Sequence, residues 1–421
     1  MRILIYSYNY HPEPIGIAPL MTELAEGLVA GGHEVRVVTG MPNYPERKIY
    51  DEYKGKLFLT EKINGVTIQR SYIYVKPKPG VFARLMLDGS FIFSSLWQLF
   101  NGWQPDVVFA TVPPLLTPFP VYFYKLFCNC PIVFNIQDIV SEAAIRVGLV
   151  KEESWIIRSV QAVEKMAYRE ASKISVIAEG FINKLVDQGV PRNKIICIPN
   201  WVDLNFIRPL EKNNSFRKNH HLEDKFVVLY SGNIALTQGL ETVIKAAARL
   251  KHIPKIAFVI VGAEEALDAL NKCCQKHKAD NVLLLPFVPR KKLPEMLSAS
   301  DVGLVVQKST VTQFNLPSKI PVILASGRPI VASVPNTGIA MTVVQESGGG
   351  IVVPPENDEA LANTIVDLYK NPEQIEKLGH QGRKYAEENF GSQDALNSYK
   401  NLFSTVVNQG KEIETFKPLT K

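Results

Sequence analysis

Short apolar runs alternate with segments of helical periodicity along most of the chain. A first series of strand-length runs is followed, after a polar interval, by a second series. Segments with apolar residues about four positions apart, such as Leu20, Leu24 and Leu28, lie between the runs. This alternation is typical of βαβ units, which build parallel sheets. The predicted strands are 3–8, 35–39, 107–111, 132–136, 174–177 and 195–199, and then 226–230, 257–261, 282–287, 302–306, 330–334 and 351–353.

The two series predict an α/β protein with two doubly wound parallel-sheet domains. The chain has 421 residues and 46% apolar content, enough for two cores of ordinary size. Because the polar run 211–215 separates the series, we expect domains at 1–205 and 206–385. A C-terminal helix is expected at 386–408. Residues 409–421 show no apolar periodicity, which predicts a disordered tail.

The composition indicates the cellular compartment of the protein and argues against some classes of function. The five cysteines show no pairing pattern or metal-ligand spacing, as is usual in a reducing cytosol. The N-terminus begins directly with a predicted strand, and no apolar stretch reaches the length of a membrane span, so we expect neither a leader nor a span. No Gly-x-Gly-x-x-Gly follows a strand, which argues against a nicotinamide-dependent oxidoreductase. The cations follow no recognition helix or aromatic sheet motif, so no nucleic-acid partner is expected.

A candidate phosphate site lies in the second series. The apolar strand 226–230 leads into a turn at Ser231, Gly232 and Asn233, and a helix is predicted to begin near Gln238 and Gly239. Small residues let phosphate oxygens approach the backbone, and the first turn of a helix offers unpaired N–H groups. The same turn is equally compatible with ordinary strand-to-helix punctuation.

A second candidate for the same ligand follows the predicted strand 302–306. Ser318 is placed to cap a helix at 320–325, and Lys319 would project from its first turn. A cation there would give a diphosphate charge-assisted hydrogen bonds. An isolated lysine would ordinarily face solvent.

The loops after predicted strands of the first domain hold other polar candidates. His11 and Glu13 lie in the loop after the first strand, and Asp138 follows the strand 132–136. Ligands of open parallel sheets bind at the carboxyl ends of the strands, which favours a function for Asp138. The alternatives are a structural or exposed role for His11 and a helix cap for Asp138.

A basic segment lies at residues 54–84, with seven cations against one carboxylate, Glu61, and its net charge of +6 equals that of the whole chain. An apolar, aromatic stretch follows it at 81–103. This combination favours contact with an anionic membrane surface. The alternative is that the apolar helices simply cover the first sheet. The cations are Lys54, Lys56, Lys62, Arg70, Lys76, Lys78 and Arg84.

Several short motifs, in a fixed order over nearly the whole chain, resemble those of the family 4 glycosyltransferases. Within that family they are most similar to the branch of colanic-acid biosynthesis fucosyltransferases. The motifs are Tyr-His-Pro-Glu-Pro-Ile-Gly-Ile-Ala at 10–18, Gly-Gly-His-Glu-Val at 31–35, Pro-Asn-Tyr-Pro at 42–45, Ile-Gln-Asp at 136–138, Pro-Asn-Trp at 199–201, Tyr-Ser-Gly-Asn-Ile at 230–234, Gln-Gly-Leu-Glu at 238–241, Val-Gln-Lys at 306–308 and Leu-Pro-Ser-Lys at 316–319.

The resemblance implies a GT-B fold, in which two Rossmann-like domains face one another across a cleft. It implies a retaining transfer from a nucleoside-diphosphate-sugar, held mainly by the second domain, to an acceptor held mainly by the first. The C-terminal helix of this architecture commonly crosses back to the first domain. The chain is also similar to the family in lacking an Asp-x-Asp motif, so we expect neither a metal nor another cofactor.

The resemblance also implies roles for individual residues. Asp138 and Lys319 are the expected catalytic residues, with Lys319 stabilising the leaving phosphate and Asp138 or that phosphate taking the acceptor proton. The base would pack near Phe287 and Val288, and the sugar would face Gly16 and Asp138. The expected donor-binding residues are Gly16, Gly232, Asn233, Gln238, Gly239, Gly262, Phe287, Val288, Gln307, Pro317, Ser318 and Lys319. The acceptor-side candidates are His11, Glu13 and Asn200.

Two departures from the family pattern change this expectation. Many relatives have Arg and Lys where this chain has Asn233 and Gln238, so Lys319 must bring most of the charge. Relatives also often carry glutamates at the positions of Phe314 and Val322, and in those relatives the second glutamate, at the position of Val322, holds the ribose.

The expected acceptor is a polyprenyl-diphosphate-linked glycan or another lipid. A lipid-linked acceptor and the basic segment together imply a cytoplasmic protein that is bound peripherally to the inner face of the plasma membrane. Two other functions are open at this point: a nucleotide-sugar epimerase of the same fold, and an inactive scaffold of a polysaccharide assembly complex.

Overall fold

The structure is a computed structural model and describes residues 1–14, 16–76, 81–100, 102–146, 153–234, 236–311 and 316–415, without the side chains of 81–85, 143, 146, 236 and 410–415. It divides into two compact units. The first comprises Met1–Pro199 and the C-terminal segment from Gln393, and the second comprises Asn200–Ser392. The unit boundary therefore lies before the polar run 211–215, which belongs to the second unit.

The first unit is built on an eight-stranded sheet in the order β3-β4-β2-β1-β5-β6-β7-β8. All neighbouring strands are parallel except the antiparallel pair β3 and β4. Every residue of the central strand β5 is buried, as its continuous apolar sequence predicts. The strands are β1 (Arg2–Tyr6), β2 (Glu34–Gly40), β3 (Phe58–Ile63), β4 (Val66–Ser71), β5 (Val107–Val112), β6 (Ile132–Ile136), β7 (Lys173–Val176) and β8 (Ile195–Cys197).

Helices connect these strands and cover the sheet. The helix α1 buries Met21, Leu24 and Leu28, which confirms the periodicity of its sequence. The described helices of this unit within Met1–Pro199, in chain order, are α1 (Ala18–Ala30), α2 (Val81–Leu99), α3 (Pro118–Cys128), α4 (Val140–Arg146), α5 (Trp155–Glu170) and α6 (Glu179–Asp187).

The strands β3 and β4 were absent from the sequence prediction. They form a hairpin whose turn residues, Asn64 and Gly65, both have positive φ, at 48° and 84°. Two such residues are the signature of a type I′ turn, and the Asn-Gly pair is its usual sequence. The hairpin occupies the middle of the basic segment. Its charged residues, alternating with apolar ones, gave no continuous apolar run.

The second unit contains a six-stranded, fully parallel sheet in the order β11-β10-β9-β12-β13-β14. Apolar clusters cover both of its faces, as expected for a doubly wound sheet. Its strands are β9 (Phe226–Ser231), β10 (Ile256–Gly262), β11 (Val282–Pro286), β12 (Val302–Val306), β13 (Ile330–Ser333) and β14 (Gly350–Val353). Its helices are α7 (Ser215–Asn219), α8 (Leu240–Leu250), α9 (Glu264–His277), α10 (Leu293–Ser298), α11 (Lys319–Ala325), α12 (Ile339–Glu346), α13 (Asp358–Lys370) and α14 (Pro372–Asn389).

A buried ion pair joins the start of this unit to its sheet. The guanidinium of Arg217 donates to Asp301 at 2.6 Å, and the same carboxylate accepts from the backbone N–H of Val227 at 2.8 Å. Both charged side chains are almost fully buried. Lys212 also pairs with Asp301 at 2.8 Å, so the polar run 211–215, which sequence reasoning took as a separator, is tied to this buried carboxylate.

The C-terminal helix, α15 (Ser392–Thr415), corrects two expected boundaries. Residues 386–389 end α14 rather than begin the last helix, and α15 continues past residue 409, where the sequence predicted a disordered tail. The helix packs on the first unit, where Tyr399 and Phe403 lie 5.1 and 5.4 Å from the ring of Phe109. Aromatic residues four positions apart thus fix it on the sheet.

Candidate active site

The turn after β9 lies at the carboxyl edge of the second sheet. Gly232 donates its backbone N–H to Val261 of the neighbouring strand at 3.0 Å, and its φ of +140° is one that side-chain-bearing residues rarely adopt. Asn233, which follows it, is exposed. The backbone here is therefore open to a ligand without a side chain in the way.

Lys319, the first residue of α11, extends its ammonium group to this turn. Its Nζ lies 3.4 Å from the position that a Cβ on Gly232 would take, and 3.4 Å from Oε1 of Gln238. It also lies 3.7 Å from the centre of the Tyr230 ring. The structure thus brings together Gly232, Gln238 and Lys319, which are separated by up to 87 positions in the chain.

Burial perturbs the chemistry of this lysine. Desolvation lowers the pKa of Lys319 to about 7, and within the described ranges no carboxylate counters that effect. The negative face of the Tyr230 ring stabilises the cation only in part. An ammonium group that has lost water and lacks an anionic partner is well suited to accept one from a ligand.

Tyr230 stabilises the turn through its hydroxyl group. Its hydroxyl donates to the backbone carbonyl of Asn233 at 2.7 Å, and lies 3.3 Å from Oε1 of Gln238. Burial raises the pKa of this phenol, so the hydroxyl stays protonated. Sequence reasoning missed Tyr230 as a functional residue, although the tyrosine stands in the quoted motif 230–234.

Two other glycines support the turn by allowing close packing. Gly239 has a φ of +61° and is the residue before α8, and a Cβ on it would lie 3.3 Å from Cγ of Lys308 in the loop after β12. A Cβ on Gly262 would lie 2.2 Å from Cδ1 of Ile234. Ile234 therefore occupies the space beside Gly262 and holds the turn against β10, so Gly262 acts through packing in this structure.

The remaining donor-side candidates lie at carboxyl ends of the same sheet. Gln307 follows β12, is buried, and donates its backbone N–H to Ser333 at 2.8 Å. Phe287 and Val288 follow the edge strand β11 and pack partly against the apolar cluster on one sheet face. Pro317 is half-buried before α11.

Ser318 does not make the capping bond that the sequence predicts. It precedes α11, but its side chain accepts no hydrogen bond from the helix. Its φ of −56° and ψ of −19° are helical, whereas a capping serine has an extended backbone. At the two positions where relatives often carry glutamates, Val322 packs against the apolar cluster, and Phe314 lies outside the described residues.

In the first unit, Glu13 connects two loops. Its buried carboxylate accepts from the backbone N–H groups of Asn43 and Tyr44 at 2.8 and 2.9 Å, and from the Asn9 amide at 2.6 Å. Burial raises the pKa of Glu13 in spite of these bonds. Both oxygens are used within the protein, so Glu13 positions the motif 42–45.

His11 lies beside Glu13 in the same loop and is held by its backbone. Its carbonyl accepts from the guanidinium of Arg70 at 2.6 Å, and its N–H donates to Thr22 at 3.2 Å. Burial and the Arg70 cation lower the pKa of the imidazole. A neutral His11 is the form expected near pH 7.

The other first-unit candidates are less enclosed. Gly16 is exposed, and a Cβ there would meet nothing within 4 Å. Asp138 is half-buried between β6 and α4, and its carboxylate accepts from the N–H of Ile139 at 3.0 Å. Asn200 is half-buried and is the first residue of the second unit.

The cations of the basic segment divide between buried and exposed positions. Arg70 is fully buried, and it pairs with Glu61 at 2.6 Å while holding His11. Lys54 pairs with Asp51. Lys78 and the side chain of Arg84 lie outside the described residues. The exposed cations among the described residues of the segment are Lys54, Lys56, Lys62 and Lys76.

A group of possible metal ligands occurs elsewhere in the described part of the chain. Glu241, Cys273 and His277 place their ligand atoms within 4.8 Å of one another, on α8 and α9. The Glu241 carboxylate already pairs with Lys245 at 3.1 Å and contacts His277 at 3.2 Å. The Lys245 ammonium therefore already pairs with the carboxylate that a metal ion would need.

Two models of known families match the chain. Residues 16–201 match the glycosyl transferase 4-like domain, and residues 211–385 match the glycosyl transferases group 1. The two matched ranges correspond closely to the two units of the structure.

Individual proteins agree with these matches. A protein of Escherichia coli K12 described as a colanic acid biosynthesis glycosyl transferase, WcaI, is 32% identical over 95% of this chain and 99% of its own length. The sucrose-phosphate synthase of Thermosynechococcus elongatus superposes with a TM-score of 0.74 at 17% identity, over 97% of this chain and 100% of the other. Anabaena HepE in complex with UDP-glucose gives 0.71 at 16% identity, over 96% and 100%.

The two structural likenesses establish the fold, and the identity to WcaI over almost the full length of both chains establishes the family. The two parallel sheets are the Rossmann-like domains of the GT-B fold. The chain belongs to the family 4 glycosyltransferases, in the branch that includes WcaI.

Proposed function

We propose that this glycosyltransferase moves a sugar from a nucleoside-diphosphate-sugar to a glycan or lipid-linked acceptor in the biosynthesis of exopolysaccharide or cell-surface polysaccharide. The transfer retains the anomeric configuration and uses no divalent metal. The observation that carries the proposal is the cluster of Gly232, Gln238 and Lys319 at the carboxyl edge of the second sheet.

The cluster has the parts that a diphosphate needs. The backbone at Gly232 lets phosphate oxygens approach closely. The Lys319 ammonium, whose Nζ lies 3.4 Å from the position that a Cβ on Gly232 would take, supplies a positive charge. Neutral donors come from the Gln238 amide and the exposed Asn233. A nucleotide-sugar is also the ligand named for HepE, whose fold is the same.

Lys319 replaces a metal in the proposed chemistry. The bond between the anomeric carbon and the β-phosphate oxygen breaks, and its electron pair stays on that oxygen. The ammonium stabilises this charge more strongly in the transition state than in the bound donor. The chain contains no Asp-x-Asp sequence that would hold a metal beside the diphosphate.

The acceptor hydroxyl attacks the anomeric carbon from the same face of the sugar from which the phosphate leaves. Its proton passes to that phosphate or to Asp138, the carboxylate at the end of β6. We place the half-buried His11 and Asn200 on the acceptor side, and the exposed Gly16, which lies in the same loop after β1 as His11, beside the transferred sugar. Glu13 acts there by positioning residues 42–45 rather than by contacting the sugar.

We assign the acceptor to the lipid-linked glycans, which would place the protein at the inner face of the plasma membrane. Support comes from the biosynthetic process named for WcaI and from the apolar helix α2. No helix in the described ranges combines the length and the hydropathy needed to cross a bilayer.

The proposal is tested by nucleotide binding followed by product analysis. GDP, UDP and ADP are compared for their effect on thermal stability, since a ligand of the folded state raises the melting temperature. The matching nucleotide-sugars are then incubated with membrane lipid extract in EDTA. Lipid-bound sugar that forms only with extract supports the proposal. Isomerised nucleotide-sugar without extract would indicate an epimerase, and no nucleotide binding would indicate a scaffold.

A further inference from the structure

The outward face of α2 is apolar. Phe93 and Trp97 are 77% and 75% exposed, and Met86 and Phe100 are more than 40% exposed. These residues recur every three to seven positions, which places them on one side of a helix. The opposite side holds Phe91 and Leu99, which are buried against the sheet. The helix is therefore apolar on both its buried and its exposed face.

The neighbouring helix α3 has the same arrangement. Val121 and Tyr124 are buried, while Phe119, Phe123, Leu126 and Phe127 are between 43% and 63% exposed. A helix at the surface of a monomeric protein normally turns polar residues outward. Here the outward positions of two adjacent helices carry phenylalanine, tryptophan, methionine and leucine.

The exposed side chains form one surface rather than scattered contacts. Phe100, at the end of α2, lies 5.7 Å from Phe123 and 5.2 Å from Phe127. On the other side, Trp97 lies 6.4 Å from Phe58 of β3. We call this continuous set, from Phe58 through α2 to α3, the aromatic surface. Contiguous apolar surfaces of this kind mark contacts with proteins or membranes.

The charges around the aromatic surface favour a membrane. Lys56 and Lys62 lie on either side of Phe58 in the chain, and both are exposed. Lys76 is also exposed, and it follows Tyr74, whose backbone N–H donates to Ser90 of α2. Among the described side chains of α2 and α3, the acidic residue is Asp88, which is half-buried. Exposed cations at the border of an apolar face complement anionic headgroups.

We propose that the aromatic surface inserts into the headgroup and upper acyl region of an anionic bilayer, with Lys56, Lys62 and Lys76 at its border. This inference rests on the lipid-linked acceptor of the proposed function and names the surface that would meet the lipid. Apolar insertion supplies most of the binding, and the lysines add a preference for anionic lipid. Tryptophan and phenylalanine are the side chains favoured at such interfaces.

Vesicle binding of the full chain tests the surface. We expect co-sedimentation with vesicles of phosphatidylglycerol and phosphatidylcholine, weaker binding to phosphatidylcholine alone, and substantial binding in 0.5 M NaCl, because salt screens charges but not apolar contacts. The double variant Phe93→Ser, Trp97→Ser should bind at least tenfold more weakly. The control is Trp155→Ser, since Trp155 is 76% exposed but lies on α5, and it should bind as the wild type does.

The conservative variant Trp97→Phe gives a second readout that does not depend on the stability of the double variant. It should bind vesicles normally but lose a blue shift of tryptophan emission that the wild type shows on binding. No binding at low salt, or equal binding by the double variant and the wild type, would overturn the proposal. A dimer in sedimentation velocity that the double variant dissociates, without vesicle binding, would assign the surface to self-association instead.

The same variants separate this inference from the proposed function. Nucleotide stabilisation should be unchanged in all of them, because the diphosphate residues lie in the other unit. Vesicle binding without any nucleotide binding would leave the aromatic surface intact and contradict the transferase chemistry. Nucleotide binding without vesicle binding would contradict the membrane role of the aromatic surface and leave the transferase chemistry intact.

Discussion

The ammonium nitrogen of Lys319 lies 3.7 Å from the centre of the Tyr230 ring. The ring covers a cation that no carboxylate of the described residues pairs with, and burial lowers the pKa of Lys319 to about 7. Such a group costs stability in the free protein and becomes favourable when an anion arrives. We therefore expect Lys319 to favour the binding of an anionic group such as the proposed diphosphate.

Replacement of Lys319 by alanine should reduce sugar transfer about 100-fold or more. The loss corresponds to roughly 3 kcal/mol of transition-state stabilisation, the usual effect of removing one group that stabilises developing charge. Initial rates at several donor concentrations give kcat and KM separately. We expect the larger change in kcat, and a variant with near-normal turnover would remove Lys319 from the mechanism.

Nucleoside diphosphate affinity should fall as the pH rises from 7.5 to 9. The lowered pKa means that free Lys319 is charged below pH 7 and loses its proton above it, whereas a bound diphosphate restores the charge. Linkage then weakens binding by up to about tenfold per pH unit. The phosphates themselves are fully ionised in this range, since their last pKa is near 6.

Calorimetric titration at four pH values measures this slope. Lys319→Arg is the control, because a guanidinium stays charged throughout the range. A slope that is the same in both proteins would show that another group titrates.

Gly232→Ala should abolish nucleotide binding while the protein stays folded. The φ of +140° strains any side-chain-bearing residue, and the new methyl would lie 3.4 Å from Nζ of Lys319, where the diphosphate is proposed to bind. The backbone cost is on the order of 1–3 kcal/mol. Thermal shift with the preferred nucleotide measures the loss.

The control for this variant is Gly189→Ala. Gly189 also has a positive φ, +89°, with nothing within 4 Å of the added methyl, but it lies in the first unit. It should carry backbone strain without losing the nucleotide-dependent shift. Equal losses in both variants would attribute the effect of Gly232→Ala to general instability.

Glu13→Ala should lower the melting temperature of the protein by several degrees. The substitution leaves the N–H groups of Asn43 and Tyr44 without their acceptor, at about 1–3 kcal/mol for each buried donor. Glu46→Ala, an exposed position in the same region, should have little effect. Nucleotide binding should be unchanged, since Glu13 lies in the other unit, and an unchanged melting temperature would contradict the positioning role.

The sequence predicted most of the sheet architecture. The strands 132–136 and 302–306 match β6 and β12 residue for residue, because a buried parallel strand is a short continuous apolar run with polar ends. The hairpin of β3 and β4 was missed for the converse reason. Its residues alternate between partly buried and exposed along β3, so no apolar run marks it, and only the Asn64-Gly65 turn signals it.

The candidate site divides in the same way. The sequence singled out Gly232 and Lys319, which the structure brings together, because a small turn after a strand and a cation at a helix start carry local signals. Tyr230 carries none, since a tyrosine at the end of a strand is typical of a core. The role of Arg70 was also misread, because the sequence shows its charge but not the burial beside Glu61 that removes it from the surface.

The sequence by itself determined the two doubly wound sheets, the family and the loops that hold polar residues, since these follow from local periodicity and short motifs. Only the tertiary structure decided which polar residues meet. It brought Lys319 to Gly232, used both oxygens of Glu13 internally and turned the apolar face of α2 outward. Contacts between residues far apart in the chain depend on how strands and helices pack, and periodicity within one segment carries no information about them.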